Sequence, residues 1–370
     1  MPLPLLLIAF FLVLTTSIDV SANRFVKQNL INIPTLSQLN TDDLCSVAKS
    51  TLTYKGEENR DHAWQSNIKL PENVSIERVE ETLKFICQLV QSGQGELLKD
   101  PQYLNKHFDA YRWRPDKDTA NQLADKSTNS RKSQMLRAIP DDKIFLTKYY
   151  TKLLKGSKVK SSEYNVALYQ LPYDELGLSP EEAQQKQEQL TRFKYTRQDV
   201  IAGALEHKKL AKPLIWLTEE SLHDVLLQGT GVLNVDGTLR YFNVHRNNGI
   251  AYDYTIGKTE QARYWYFAEV NGIKGYGNTI DRKIDLLPRV SFAGNVDQLG
   301  LGKLFLVSFE KGGFQQAQLG ILADEGGAFD NNLFQLDWLV ESYYGWSDYH
   351  AKNKHFPDYA DVWLLVKKQP

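Results

Sequence analysis

Two aspartates near the C-terminal end hold the clearest potential for chemistry. In the stretch "LADEGGAFDNNLFQLDW", Asp337 stands among Phe334, Leu336, Trp338 and Leu339, and Asp324 lies just ahead of Gly326 and Gly327. An ionised carboxylate in apolar company loses hydration, so it must find a partner, reach solvent in a cleft, or rise in pKa. A carboxylic acid that stays protonated near neutral pH is what general-acid catalysis requires. Two blander readings stand beside this one: Asp337 is a solvated residue on a two-sided strand, or the cap of a helix starting at "DWLVESYYG". Asp324 either bonds the backbone N–H groups of its turn or orients a substrate. Gly326 and Gly327 suit positive φ or close approach of a bound chain.

Other chemistries are thinly represented. The seven histidines show no H-E-x-x-H spacing, and no Gly-x-Ser-x-Gly, P-loop or cluster of metal ligands occurs. "GYGNTI" at Gly275 lacks the strand and helix frame of a phosphate loop. No cofactor and no metal is expected. With 44 basic against 45 acidic residues there is no electrostatic case for nucleic acid.

The elements that must position these aspartates divide the chain by texture. The N-terminal "LPLLLIAFFLVLTT" followed by "SIDVSA" reads as an export signal over residues 1–22, with an uncleaved anchor as the alternative. No cysteine lies near the cut, so lipid attachment there is not expected. Cys45 and Cys87 are the only cysteines; in an exported protein a disulfide between them is expected, with two buried thiols as the alternative. From Leu36 to Arg137 the pattern is helical, clearest in "SIERVEETLKFICQLVQSG", where Ser75 caps a stripe of Ile76, Val79, Leu83, Ile86 and Val90 that ends at Gly93. After Ile144 short runs rich in Val, Tyr, Phe and Thr predict strands, and "GVLNVDGTLRYFNV" predicts a hairpin around Asp236-Gly237. "SPEEAQQKQEQLTRF" predicts a polar helix, and "TRQDVIAGALEHKKL" a second, short one. "GKLFLVSF", "QAQLGILA" and "DVWLLVKK" predict core strands of the tail. Gln228, Gly229 and Thr230 read as exposed polar backbone following a strand.

Four stretches together resemble the MltA family of membrane-bound lytic murein transglycosylases, from about Phe145 to the C-terminus. "FLTKYYTKLL" with "YNVALYQLP" resembles the family's Thr-Gly-Tyr-Tyr-x-Pro turn, with Lys148 in place of Gly and Lys152 in place of Pro. "YTRQDVIAGAL" resembles its Thr-Arg stretch. "LLQGTGVLNVDG" resembles its Gln-Gly-Ser-Gly strand, with Thr230 for Ser, and "RNNGIAY" its Asn-Gly motif, with Ile250 for His. "LADEGGAF" resembles its Asp-x-Gly-Gly-Ala-Ile, after which Asp337 falls on the catalytic Asp across about two additional residues in "DNNLFQ".

The resemblance implies a mainly β fold with a helical N-terminal segment: a double-psi β-barrel with a second β-domain inserted and a groove between them. The corresponding division is 23–150 for the helical segment and first barrel part, 151–263 for the insert, and 264–370 for the rest of the barrel. It implies cleavage of the MurNAc–GlcNAc β-1,4 bond of peptidoglycan with formation of 1,6-anhydro-MurNAc, by Asp337 as acid and base. Asp324, Gly326 and Gly327 are implied as supporting residues, and Thr147, Tyr149, Tyr150, Gln228, Gly229, Thr230, Gly231, Asn248, Gly249 and Tyr252 as substrate-binding. Glycan strands are the implied partner of an exported, periplasmic monomer that is soluble or loosely bound to the outer membrane, alongside other proteins of cell-wall synthesis or degradation. A non-catalytic peptidoglycan-binding protein and a hydrolytic polysaccharidase on the same barrel are the alternatives.

Overall fold

A computed structural model describes residues 24–55, 61–326, 329 and 332–369. The expected export signal at residues 1–22 lies outside the described residues. Among those described, no helix is long and apolar enough to cross a membrane.

In chain order the strands are β1 (Phe25–Lys27), β2 (Phe108–Trp113), β3 (Ile144–Lys155), β4 (Val166–Tyr169), β5 (Pro213–Leu217), β6 (Thr230–Val235), β7 (Thr238–Asn247), β8 (Trp265–Val270), β9 (Ile273–Lys274), β10 (Asp285–Leu286), β11 (Ser291–Ala293), β12 (Leu304–Lys311), β13 (Phe314–Asp324), β14 (Gln335–Tyr343) and β15 (Tyr359–Lys367). Strands β3, β14, β11, β13, β12 and β15 pair in that order, and β15 returns to β3 through Tyr359 and Ala360. The six strands therefore close into a barrel, which removes its free edges. Two of the pairings are parallel, β3 with β14 and β11 with β13. This is the expected fold class.

Barrel strands such as β12 are buried almost throughout, because the barrel fills their inner face while helices cover the outside. The helix Thr41–Lys55 lies against β13 and the helix Ile76–Gln91 against β15. The latter forms as its sequence predicts: the Ser75 hydroxyl accepts the Arg78 N–H, Val79, Leu83 and Ile86 are buried, and Gly93 takes φ +74° at the exit. Its Thr82 hydroxyl accepts the Lys367 N–H at 2.8 Å, which fixes the helix to β15.

Cys45 and Cys87, 42 positions apart in sequence, join these two helices through a disulfide with Cα atoms 4.9 Å apart. Closing a loop of that length contributes about 4 kcal/mol by the chain-entropy estimate. The Cys45→Ala/Cys87→Ala protein is expected to lose stability of that order in urea unfolding; an unchanged midpoint would show that the bridge contributes nothing.

Strand β3 leaves the barrel without a break. Its first half pairs with β14, and its last residues, Leu153 to Lys155, pair with β6. From there β6, β7 and β8 form an antiparallel sheet beside the antiparallel pair of β4 and β5. This insert has its own core of buried residues between Leu154 and Phe267, including Leu217, Leu222, Leu233 and Phe242. The β6–β7 hairpin turns at Asp236 and Gly237, with φ of +53° and +82°, as the Asp-Gly pair predicts.

The structure departs from the sequence reading in three places. First, β1 and β2 lie in the N-terminal segment read as helical. "FDAYRW" is buried at every position, so it has no alternation to reveal a strand. Second, the helix expected over "SPEEAQQKQEQLTRF" stops at Gln185; its capping box forms, but only Ala183 is buried and no apolar stripe carries it further. Third, Gln228 ends a helix, Glu219–Gln228, rather than following a strand. That helix carries a Thr218 N-cap, acidic Glu219 and Glu220, and Gly229 at its left-handed C-cap, so its punctuation was present in the sequence. Of the alternatives open for Asp337, the helix cap is excluded, because the residue sits in the middle of β14.

Candidate active site in the groove between barrel and insert

The crossing strand β3 passes through a groove of about 450 Å³ bounded by barrel and insert. Tyr149, Tyr150, Gln228, Gly229, Thr230, Asp324, Gly326 and Asp337 all line it, although nearly 190 residues of chain separate the first from the last.

Backbone register explains how the two aspartates meet. Asp337 on β14 stands opposite Thr147 on β3 and Ala293 on β11. On the other side of β11, an irregularity in the pairing skips Ala323, so that Asp324 stands opposite the same Ala293. Residues in register on adjacent strands project to the same side. Two carboxylates thus flank one methyl group, with Cα atoms about 10 Å apart from two strand spacings.

Their surroundings differ. Burial raises the Asp337 pKa to about 6, against the pull of the Thr147 hydroxyl, the Lys148 charge and the Trp338 N–H. Its Oδ1 has no hydrogen-bond partner. Burial raises Asp324 further, to about 7, while the Glu325 N–H, the Tyr149 hydroxyl and Lys283 oppose the rise and Asp337 adds to it. Both Asp324 oxygens are engaged: Oδ1 accepts the Glu325 N–H at 2.9 Å and Oδ2 accepts the Tyr149 hydroxyl at 3.1 Å. Asp324 is therefore anchored, and Asp337 holds the unsatisfied oxygen.

The groove's other wall is tied to the barrel by amides. Gln228 accepts the Lys152 N–H at 3.0 Å and donates to the Tyr150 carbonyl at 3.4 Å. Asn243 donates to the Thr230 hydroxyl at 3.0 Å and accepts from the Lys283 ammonium at 2.6 Å. Burial lowers the Lys283 pKa, opposed by the Asp324 charge. Tyr150 stacks on Tyr349 at 4.7 Å, and Trp346, 64 % exposed, lies 5.3 Å beyond Tyr349. An aromatic ladder thus leads from the groove to solvent.

Several residues implied by the resemblance sit elsewhere. Thr147 is beside Asp337 but outside the groove lining, and its hydroxyl accepts the Gln335 amide at 2.7 Å. Gly231 lies where a Cβ would meet Val225 at 3.3 Å, so it serves packing of helix on sheet. Asn248 and Gly249 border a separate hollow on the insert. The Asn248 amide is spent on the backbone, donating to the Tyr195 and Ala262 carbonyls and accepting from Ile250 and Tyr264. Tyr252 packs on Tyr254 at 5.1 Å outside the groove lining. Gly327 lies outside the described residues.

Sequence reasoning passed over Asn243, Lys283, Ala293 and Gly275, which also line the groove. Gly275 carried a signal: a Cβ there would meet the Ala323 carbonyl at 2.7 Å, the close approach that an isolated Gly in a strand-rich stretch marks. Ala293 and Lys283 carried none. The residue in place of the family's Gly, Lys148, sends its ammonium away from the groove to the Leu146 and Pro357 carbonyls at 3.0 and 2.6 Å.

A closed barrel interrupted by a β-domain, with an acid-bearing groove between the two, defines an interrupted-barrel protein of the double-psi type. Residues 145–264 match the family model described as the MltA specific insert domain, and the chain as a whole shares its fold with solved structures of that kind. Three solved structures share it: an MltA from Neisseria gonorrhoeae (13 % identity, 94 % of this chain and 93 % of that one, TM-score 0.57), a membrane-bound lytic murein transglycosylase from Agrobacterium tumefaciens (15 %, 93 % and 97 %, 0.56), and E. coli MltA with bound chitohexaose (16 %, 94 % and 95 %, 0.51). No curated protein matches the sequence.

Proposed function

We propose that the chain is an exported, periplasmic lytic transglycosylase that cleaves the MurNAc–GlcNAc β-1,4 bond of peptidoglycan glycan strands, acting as a monomer without metal or cofactor. The observation that carries this reading is Asp337: a groove-lining carboxyl group with a buried oxygen that has no hydrogen-bond partner and a pKa raised to about 6 by burial. The match of the insert to the MltA family supports it, as does the fold shared with a relative that holds a hexasaccharide.

In this reading Asp337 donates its proton to the glycosidic oxygen as the bond from that oxygen to MurNAc C1 breaks. The resulting carboxylate accepts the proton of the same sugar's C6 hydroxyl, which attacks C1. Nucleophile and electrophile lie on one sugar, so effective molarity is high and one catalytic carboxylate suffices. Hydrolysis would instead need a second carboxylate to activate water. Asp324 is the candidate by position, yet its bonds to Tyr149 and Glu325 favour a fixed anchor over a base.

Digestion of purified murein across pH tests the reading. An acid that must start protonated, with pKa about 6, predicts release of soluble fragments that declines as pH rises above 6. No release at any pH would leave a binding protein. Tyr150→Ala removes the inner rung of the aromatic ladder and is expected to weaken retention on insoluble murein by ~10-fold, on the scale of an aromatic contact of about 1.4 kcal/mol, with the melting temperature little changed. Normal retention would place the glycan elsewhere.

A further inference from the structure

A second cavity, about 560 Å³ in volume, opens on the other face of β14 from the groove. Its apolar wall is an aromatic triad: Phe309, Trp338 and Phe356 lie with ring centroids 5.4 to 5.7 Å apart. Two cations rest on that wall. The Arg289 guanidinium is 5.4 Å from the Trp338 ring and 5.3 Å from Phe356, and the Lys311 ammonium is 3.8 Å from Phe356. Neither has a carboxylate within ion-pair distance among the described residues.

Like charges gathered over one ring repel, and a fold does not gather them without some return. Arg289 is also one of four non-glycine residues with positive φ among the described residues, at +71°. Its conformation is locked from both sides, its N–H donating to the Leu339 carbonyl at 2.8 Å and its carbonyl accepting the Trp338 indole N–H at 3.0 Å. The guanidinium is thereby aimed across the triad. Gln318, only 3 % exposed, lines the cavity with an amide whose one hydrogen bond among the described residues is a long 3.3 Å contact to the Leu319 carbonyl. Glu341 is the one acidic residue of the lining.

We infer that this cavity is a second ligand site, separate from the groove, which binds a short peptide bearing a free carboxylate. Arg289 and Lys311 take the carboxylate as charge-assisted bonds, the triad covers an aliphatic side chain, and Gln318 bonds a peptide amide. Glu341 disfavours ligands that are purely anionic and suits one that also carries an amino group.

Calorimetric titration of the full protein with Ala-Glu-Ala, its amidated counterpart Ala-Gln-Ala-NH2, and inorganic phosphate tests this. Saturable binding of Ala-Glu-Ala alone is expected, weakened about tenfold or more by Lys311→Gln and by Arg289→Gly, since bonds to charged groups are of that size. Arg289→Gly removes the cation while suiting the positive φ, so the fold is retained. Asp337→Asn should bind the peptide as the parent does, which separates this site from the proposed chemistry. Absence of saturation at millimolar peptide, binding indifferent to both variants, or phosphate binding as tightly as the peptide would each overturn the assignment.

Discussion

Asp337→Asn is expected to lower murein cleavage by ~10²–10⁴-fold, the range for losing a general acid or base, and at the same time to make the protein more stable above pH 6. The second half follows from linkage. A folded-state pKa of about 6 against an ordinary 3.8 means that the ionised carboxylate destabilises the fold. That penalty is fully present above the folded pKa and vanishes below the unfolded one, where both states hold the proton. Asparagine removes it, for a gain of about 1–3 kcal/mol at pH 8 that disappears by pH 3. Urea unfolding at both pH values, beside digestion assays, checks both parts. Retained activity would remove Asp337 from the chemistry, whereas lost activity with lower stability at pH 8 would mean that the substitution had damaged the fold.

The largest loss of stability is expected at Glu175 in the insert. This carboxylate is fully buried between two arginines, bonded to Arg192 at 2.7 and 2.8 Å and to Arg246 at 2.9 Å. Glu175→Ala leaves two guanidinium groups facing a low-dielectric interior, which is destabilising by about 3–5 kcal/mol. Because the insert has a core of its own, melting should show an early transition for it. A shift within about 0.5 kcal/mol, the size of an ordinary surface change, would contradict this.

Legibility of the fold followed the local signals. The helix after Ser75 and the Asp236-Gly237 hairpin each carry a cap or turn residue and a periodic apolar face, and both formed as read. β2 was invisible because it is buried on both faces, and the helix ending at Gln228 because its caps were not weighed against the strand-rich texture around it. In the groove, Asp337 was legible as a charge in an apolar run and Asp324 as an acid before a glycine pair. What no local pattern holds is their common neighbour. Ala293 is ordinary in sequence, and its role comes from a pairing irregularity between strands about thirty residues apart. The link from Thr230 through Asn243 to Lys283 likewise joins two domains whose contact only the closed barrel creates.

The most direct test of the proposed chemistry is the mass of the fragments released from purified murein sacculi. Internal attack by the C6 hydroxyl predicts fragments that end in 1,6-anhydro-MurNAc, about 18 daltons lighter than those ending in a reducing sugar, because the carboxylate serves an internal nucleophile in place of water. Fragments with reducing ends would contradict it and point to a hydrolase.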